Sequence, residues 1–259
     1  MVLLLDLGNQ SLHVGVYENR IPVLSFRLFA DRLKSEIEYE EALLSYLTYH
    51  HLDPKNFEGA ILSSVVPSLT KRIENAASKV IQKPCLVLNN RLRISLSIRM
   101  DNPSEVGSDL LATALGAINN YQKDTLVIDM GNVVSFLLVS EKREYLGGAL
   151  FPGLRDSADQ MIQSAALLSE VDLKAPKKYL GKNSRDSISA GVLFGYHGLI
   201  ESYAKKLEEE VGKPLVKVLT GADAKLVKDL LPKDFLYHPT LCFDGLYDIY
   251  QKNTQKGEK

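Results

Sequence analysis

The first half of the chain is echoed in the second. Residues 2–16 read VLLLDLGNQSLHVGV and residues 126–139 read LVIDMGNVVSFLLV. Each copy has a short apolar run, then Asp, an apolar residue, Gly, Asn and a second apolar run. The two aspartates, Asp6 and Asp129, stand 123 positions apart in a chain of 259 residues. A short apolar run that ends on a turn signal reads as a buried strand. Gly-Asn is a turn pair, because glycine takes positive φ freely and asparagine tolerates it better than most residues. Each copy therefore predicts a β-hairpin with a carboxylate at the end of its first strand. The shared Asp-x-Gly-Asn favours duplication over two unrelated hairpins.

Around the hairpins, strands and helices alternate. Helical periodicity covers 33–50 and 68–82, with Ser68 as an N-cap after Pro67. Residues 59–66 and 84–88 read as strands, and the Ala/Leu-rich part of the segment opened by Pro103 reads as a helix. After the second hairpin come helices near 154–168 and 186–211, a strand at 215–221, and a helix from about Asp223 to Leu231. The tail QKNTQKGEK has no apolar anchor and is expected to fray. No linker rich in Pro, Gly or Ser parts the halves. The expectation is an α/β protein of two similar lobes, 1–115 and 116–259, with the last helix able to cross back.

With 31 Lys+Arg against 32 Asp+Glu, the chain has no global field to draw in nucleic acid. Cys85 and Cys242 form no CxxC pair, which fits a reducing compartment and argues against a cysteine-built zinc site. No run approaches the roughly 20 apolar residues of a membrane span. A cytoplasmic protein without nucleic-acid or membrane partners is expected.

Two Asp-bearing hairpins suggest a phosphate clamp. Backbone N–H groups of a tight glycine turn can cradle phosphate oxygens. A carboxylate beside them repels phosphate but can hold Mg²⁺ or its waters, and the metal bridges to the phosphates. A pair of such hairpins on opposite lobes would hold a nucleotide in the cleft between them. For either hairpin alone, an Asp that merely bonds backbone amides is an equal alternative.

Seven motifs carry a resemblance that runs along nearly the whole chain. They are DLGNQSLHVGV (6–16), SSVVP (63–67), NPSEVGSD (102–109), IDMGN (128–132), YLGGALFPGL (145–154), LGKNSRDSISAG (180–191) and PTLCFDGLYDIY (239–250). Together the sequence resembles type III pantothenate kinases, in the actin/hexokinase/acetate kinase superfamily of duplicated, ribonuclease-H-like (actin-like ATPase) domains. The resemblance implies a transferase that uses ATP to phosphorylate pantothenate to 4'-phosphopantothenate, the first step of coenzyme A biosynthesis. It implies Asp6, Gly8, Asn9 and Gln10 as the first phosphate loop, with Asp6 indirectly on Mg²⁺, and Gly131 and Asn132 as the second. Asp109 matches the general base, and Asp129 a carboxylate of the site for a monovalent cation, K⁺ or NH₄⁺. Met100, Gly107, Ser108, Leu110 and Ser184 fall on the substrate side, Ser184 reaching pantothenate across a homodimer interface so that the active site is shared. Read without the resemblance, Asp109 is a helix-flank carboxylate and Ser184 part of an Asn-Ser turn or cap.

The chain departs from the family pattern at several of these positions. Leu110 stands where an Arg usually follows the catalytic Asp, and leucine cannot hold a substrate carboxylate. The second loop has Asn132-Val133-Val134-Ser135 where hydroxyl residues are usual, Thr220-Gly221-Ala222 replaces Thr-Gly-Gly, and Met100 replaces a Tyr. These changes motivate an alternative: a catalytically degenerate relative that serves as a dimeric binding or regulatory protein. Other signals are weak. The five histidines show no metal-ligand spacing, Ser63-Ser64 is not in a G-x-S-x-G elbow, and GGALFPG lacks the Lys and Ser/Thr of a P-loop.

Overall fold

The computed structural model describes residues 1–164, 171–176 and 178–254. Its strands are β1 (Val2–Leu7), β2 (Ser11–Glu18), β3 (Ile21–Phe29), β4 (Gly59–Ser64), β5 (Cys85–Val87), β6 (Ser97–Ile98), β7 (Thr125–Met130), β8 (Val133–Ser140), β9 (Glu144–Pro152), β10 (Val216–Thr220) and β11 (Phe235–Tyr237). Its helices are α1 (Glu36–Tyr49), α2 (Pro67–Ile81), α3 (Ser108–Tyr121), α4 (Leu154–Ser164), α5 (Ser184–Val211), α6 (Ala224–Val227) and α7 (Leu241–Thr254). Two sheets result, ordered β3-β2-β1-β4-β5 and β11-β10-β7-β8-β9-β6. In both, three antiparallel strands are followed by parallel ones: β9-β8-β7-β10-β11 repeats β3-β2-β1-β4-β5, and β6 is added at the edge. The echo in the sequence is a duplication of topology.

The hairpins are thus three-stranded meanders, and their third strands escaped the sequence reading. Between β2 and β3 the turn residues Asn19 and Arg20 both have positive φ, 50° and 68°. That is the backbone of a two-residue hairpin turn, but without the glycine that normally signals one. Between β8 and β9 the single positive-φ residue is Arg143, again not glycine.

The chain forms two compact units. One holds Met1–Ser97, Asp101–Asn119 and the chain from Thr240; the other holds Ile98–Met100 and Asn120–Pro239. A cut at 115/116 would give α7 to the second unit, but its aromatic side chains are built into the first. A Cβ on Gly15 of β2 would lie 2.9 Å from the Phe243 ring, and one on Gly59 of β4 would lie 2.4 Å from the Tyr250 hydroxyl. The buried Tyr17 hydroxyl donates to Asp244 at 2.7 Å. In the first unit α1 and α2 cover the other sheet face, over Leu3, Leu5, Leu7, Leu12, Val14 and Val16. In the second, α4, α5 and α6 cover Leu126, Ile128, Met130, Phe136 and Leu138.

Several element ends differ from the sequence reading. Helix α2 starts at Pro67, with Val66 as its cap residue and no side-chain cap; Ser68 lies inside the helix, and proline suits the first helical position. Helix α1 starts at a Ser35–Glu38 capping box. Helix α6 is only four residues long, and Pro232 restrains Leu231 from helical geometry soon after it. Helix α4 covers Leu154–Ser164, and the expected residues 165–168 lie outside the described ones. The start of the tail is anchored, because α7 runs to Thr254 and the Asn253 side chain bonds both the N–H and the C=O of Arg93. Among the described residues no helix is long and apolar enough to cross a membrane.

Candidate functional site

In the first unit, Asp6 is in register with His13 of β2 and with Ser63 of β4. Register partners on neighbouring strands share a sheet face, so the three side chains stand in a row. The Ser63 hydroxyl lies 3.0 Å from that of Ser108, which also accepts the Ser64 N–H at 3.0 Å and donates to the Ser64 carbonyl at 3.1 Å. These bonds seat the start of α3 at the end of β4. The SSVVP and NPSEVGSD segments form one joint, and that joint carries Asp109 to the sheet end where Asp6 stands. The Ser108 hydroxyl is engaged within the chain.

Asp109 folds back on its own helix start. Its Oδ1 accepts the Leu110 N–H at 2.8 Å, and a Cβ on Gly107 would lie 2.5 Å from that oxygen. Gly107 therefore makes room for the carboxylate. Burial pushes the Asp109 pKa above the usual carboxylate range, against the pull of the backbone hydrogen bonds. A carboxylate so raised is a stronger base.

The first turn runs Gly8-Asn9-Gln10, with the Gly8 N–H donating to Ser11 O at 3.0 Å and with Asn9 and Gln10 exposed. Contrary to the sequence reading, neither Gly8 nor Gly131 has positive φ. Packing does not demand glycine either: a Cβ at each would meet its nearest atom at 3.6 Å, an ordinary contact. What the missing side chains leave open is the turn backbone itself, as an anion cradle requires.

In the second unit, Asp129 is flanked in register by Ser135 of β8 and Thr220 of β10, as Asp6 is by His13 and Ser63. The turn is one residue shorter, closing from Met130 to Val134 where the first closes from Leu7 to Leu12. Two glycines wall this turn: Gly221, of the loop that the resemblance matches to Thr-Gly-Gly, and Gly153, to which the sequence reading gave no role. Gly221, at φ +90°, leaves no space for a Cβ, which would lie 2.5 Å from Asp129 Oδ1 and 2.6 Å from the Met130 backbone. A Cβ on Gly153 would lie 2.3 Å from Asn132 O. For Gly153 the available signal was the Pro-Gly of 152–153, which reads as an ordinary turn.

Two substrate-side candidates belong to the second unit. The Met100 sulfur sits 3.4 Å from where a Cβ of Gly147 would be. Ser184 is the exposed first residue of α5, behind the cap residue Asn183, whose side chain accepts the Asp186 N–H at 2.9 Å. The sequence reading also passed over His13. Its ring lies 4.4 Å from that of Phe243, and burial, helped by Arg27, lowers its pKa to about 3. A neutral imidazole therefore stands beside Asp6 throughout the physiological pH range.

Among the described residues no three His, Cys, Asp or Glu side chains converge to hold a metal by themselves.

The family model for type III pantothenate kinase matches residues 2–206. The chain belongs to the type III pantothenate kinase family. A type III pantothenate kinase of Bacillus cytotoxicus is 31% identical to it over 262 residues, with 100% of both chains covered. Its fold is shared with a Campylobacter jejuni protein assigned to the Baf family of transcriptional activators, at 19% identity, TM-score 0.61, and 97% and 98% coverage of the two chains. It is shared as well with MreB5 of Spiroplasma citri bound to ADP, at 12% identity, TM-score 0.56, and 99% and 98% coverage. The actin-like fold thus rests on structure, and membership of the type III pantothenate kinase family on sequence.

Proposed function

We propose that the chain is an ATP-dependent kinase acting on the primary hydroxyl of pantothenate. The observation that carries this is the Ser63–Ser108 joint, which holds Asp109 at the sheet end that bears Asp6 and its open glycine turn. Asp109 takes the hydroxyl proton, the substrate oxygen forms its bond to the γ-phosphorus, and ADP leaves. The Gly8–Gln10 and Gly131–Asn132 turns would bind phosphate, and Asp6 would hold Mg²⁺ or its waters, the ion supplying charge stabilisation to the phosphates. Asp129, with the Ser135 and Thr220 hydroxyls in register beside it, offers oxygen donors suited to K⁺ or NH₄⁺. The chain's departures favour a second reading as a non-catalytic dimeric relative: Leu110 supplies no cation for a carboxylate, and Val133 and Val134 supply no hydroxyls.

A coupled assay with pantothenate, ATP, Mg²⁺ and K⁺ or NH₄⁺ separates the two readings. The expected result is formation of phosphopantothenate, with a Leu110→Arg variant lowering the KM for pantothenate by about tenfold or more through a restored charge-assisted pair. No product from either protein would overturn the kinase reading and leave the non-catalytic one.

The working unit in this reading is a homodimer to which Ser184 is contributed across the interface. Support comes from α5, whose Gly191, Gly195 and Gly198 have, among the described residues and apart from the helix's own backbone, nothing within 4 Å of where a Cβ would be. Glycine within a helix costs about 0.5–1 kcal/mol each relative to alanine, so a bare stripe fits close approach by another helix. Light scattering should report a dimer, and Gly191→Glu should yield folded monomers with reduced activity. A wild-type monomer at micromolar concentration would remove the shared site.

A further inference from the structure

Arg155 and Asp223 form an ion pair beside the second glycine turn that nothing above employs. Arg155 is the second residue of α4, and its Nε donates to Asp223 Oδ1 at 3.0 Å. The Asp223 side chain is 10% exposed and that of Arg155 is 55% exposed. Both residues are fastened to the turn. The Asp223 N–H donates to the carbonyl of Met130, the residue before Gly131, at 3.0 Å. Gly153, two residues before Arg155, lies so close that its Cβ would meet Asn132 O at 2.3 Å and Gly131 O at 3.0 Å. Its carbonyl accepts the Ser157 N–H at 2.9 Å, which fixes the start of α4 against the turn.

Because the carboxylate engages Nε, the two terminal amino groups of the guanidinium have no hydrogen-bond partner among the described residues. Together they make the planar fork that suits phosphate oxygens. The turn beside them has Val133 and Val134, which cannot donate to phosphate from their side chains. We infer that Arg155, oriented by Asp223, contacts the phosphates of the nucleotide at the Gly131–Asn132 turn and supplies the donors this turn lacks. The inference rests on the reading of that turn as a phosphate site.

Calorimetry with Mg²⁺-ATP on the full chain tests it. Loss of a charge-assisted hydrogen bond to phosphate is worth about ten- to a hundredfold in affinity. Arg155→Gln should weaken ATP binding by that factor while the melting temperature of the free protein changes little, since a half-exposed ion pair adds little stability. Asp223→Asn should weaken ATP binding less, and the double variant should bind no worse than Arg155→Gln, because the carboxylate acts through the arginine. The KM for pantothenate should not follow the loss. A variant with a lowered melting temperature but wild-type ATP affinity would make the pair merely structural and overturn the inference. Equal ATP affinity at unchanged stability would also overturn it, while leaving the turn as a phosphate site. A wild-type chain that binds no ATP would overturn the phosphate reading and this inference with it.

Discussion

Asp109→Asn should lower kcat by about 10²–10⁴-fold, the usual share of general-base catalysis, with the fold intact. The sign of the accompanying stability change makes this a sharp test. Burial raises the Asp109 pKa above its unfolded value. The folded state therefore binds the proton more tightly than the unfolded one. The stability Asp109 contributes is fully present below its unfolded pKa of about 3.9 and is lost as pH rises through the folded pKa. At neutral pH the ionised carboxylate is a cost, so the neutral asparagine should melt at the same temperature or higher. The activity of the wild type should rise with pH through that same raised pKa, and the variant should lose that limb. A kcat equal to that of the wild type would remove Asp109 as the base. A variant that loses activity and melts lower would make Asp109 a structural carboxylate.

The second large effect concerns the seat of α7. A Cβ on Gly245 would lie 1.8 Å from Ala112 O, and one on Gly116 would lie 2.1 Å from Leu241 O. Each glycine of one helix meets the backbone of the other, so no rotamer change relieves the clash and α3 and α7 must part. Gly245→Ala should destabilise the protein by about 3 kcal/mol, the upper range for overpacking, and lower the melting temperature by roughly 10 °C. Helix propensity alone gives the opposite sign, since alanine is favoured over glycine by about 1 kcal/mol within a helix. Because α3 carries Asp109 at its start, the loss should extend to activity. An unchanged or raised melting temperature would mean that propensity decides at this contact.

What could be read in the sequence was what local pattern carries. The apolar runs ending at Asp6 and Asp129 specified two buried strands and two turns, because side-chain periodicity and turn chemistry act over a few residues. The same holds for the long α5, framed by the cap residue Asn183 and by Gly212 at φ +76°. Strands β3 and β9 were hidden because Asn19-Arg20 and Arg143 make hairpin backbones without glycine, and only the paired strand compels them to do so.

The site was legible as residue types and not as an arrangement. Sequence pattern singled out Asp6 and Asp129, and the family resemblance Asp109, but their neighbours are set by pairing and packing. Ser63 comes beside Asp6 only when β4 pairs parallel with β1, and it then meets Ser108, 45 positions further along the chain. The role expected of Gly8 and Gly131 was local, a positive φ, and the backbone does not use it. Gly153 is required instead by close approach to the Gly131–Asn132 turn, and Gly221 by close approach to Asp129 and Met130 as well as by its φ of +90°. The sequence by itself determined the duplication, the strand-ending carboxylates and the family. Tertiary structure alone decided that α7 packs into the first unit, that Ser108 seats Asp109, and that Arg155 meets Asp223, because each depends on contacts between segments whose separation leaves no trace in local pattern.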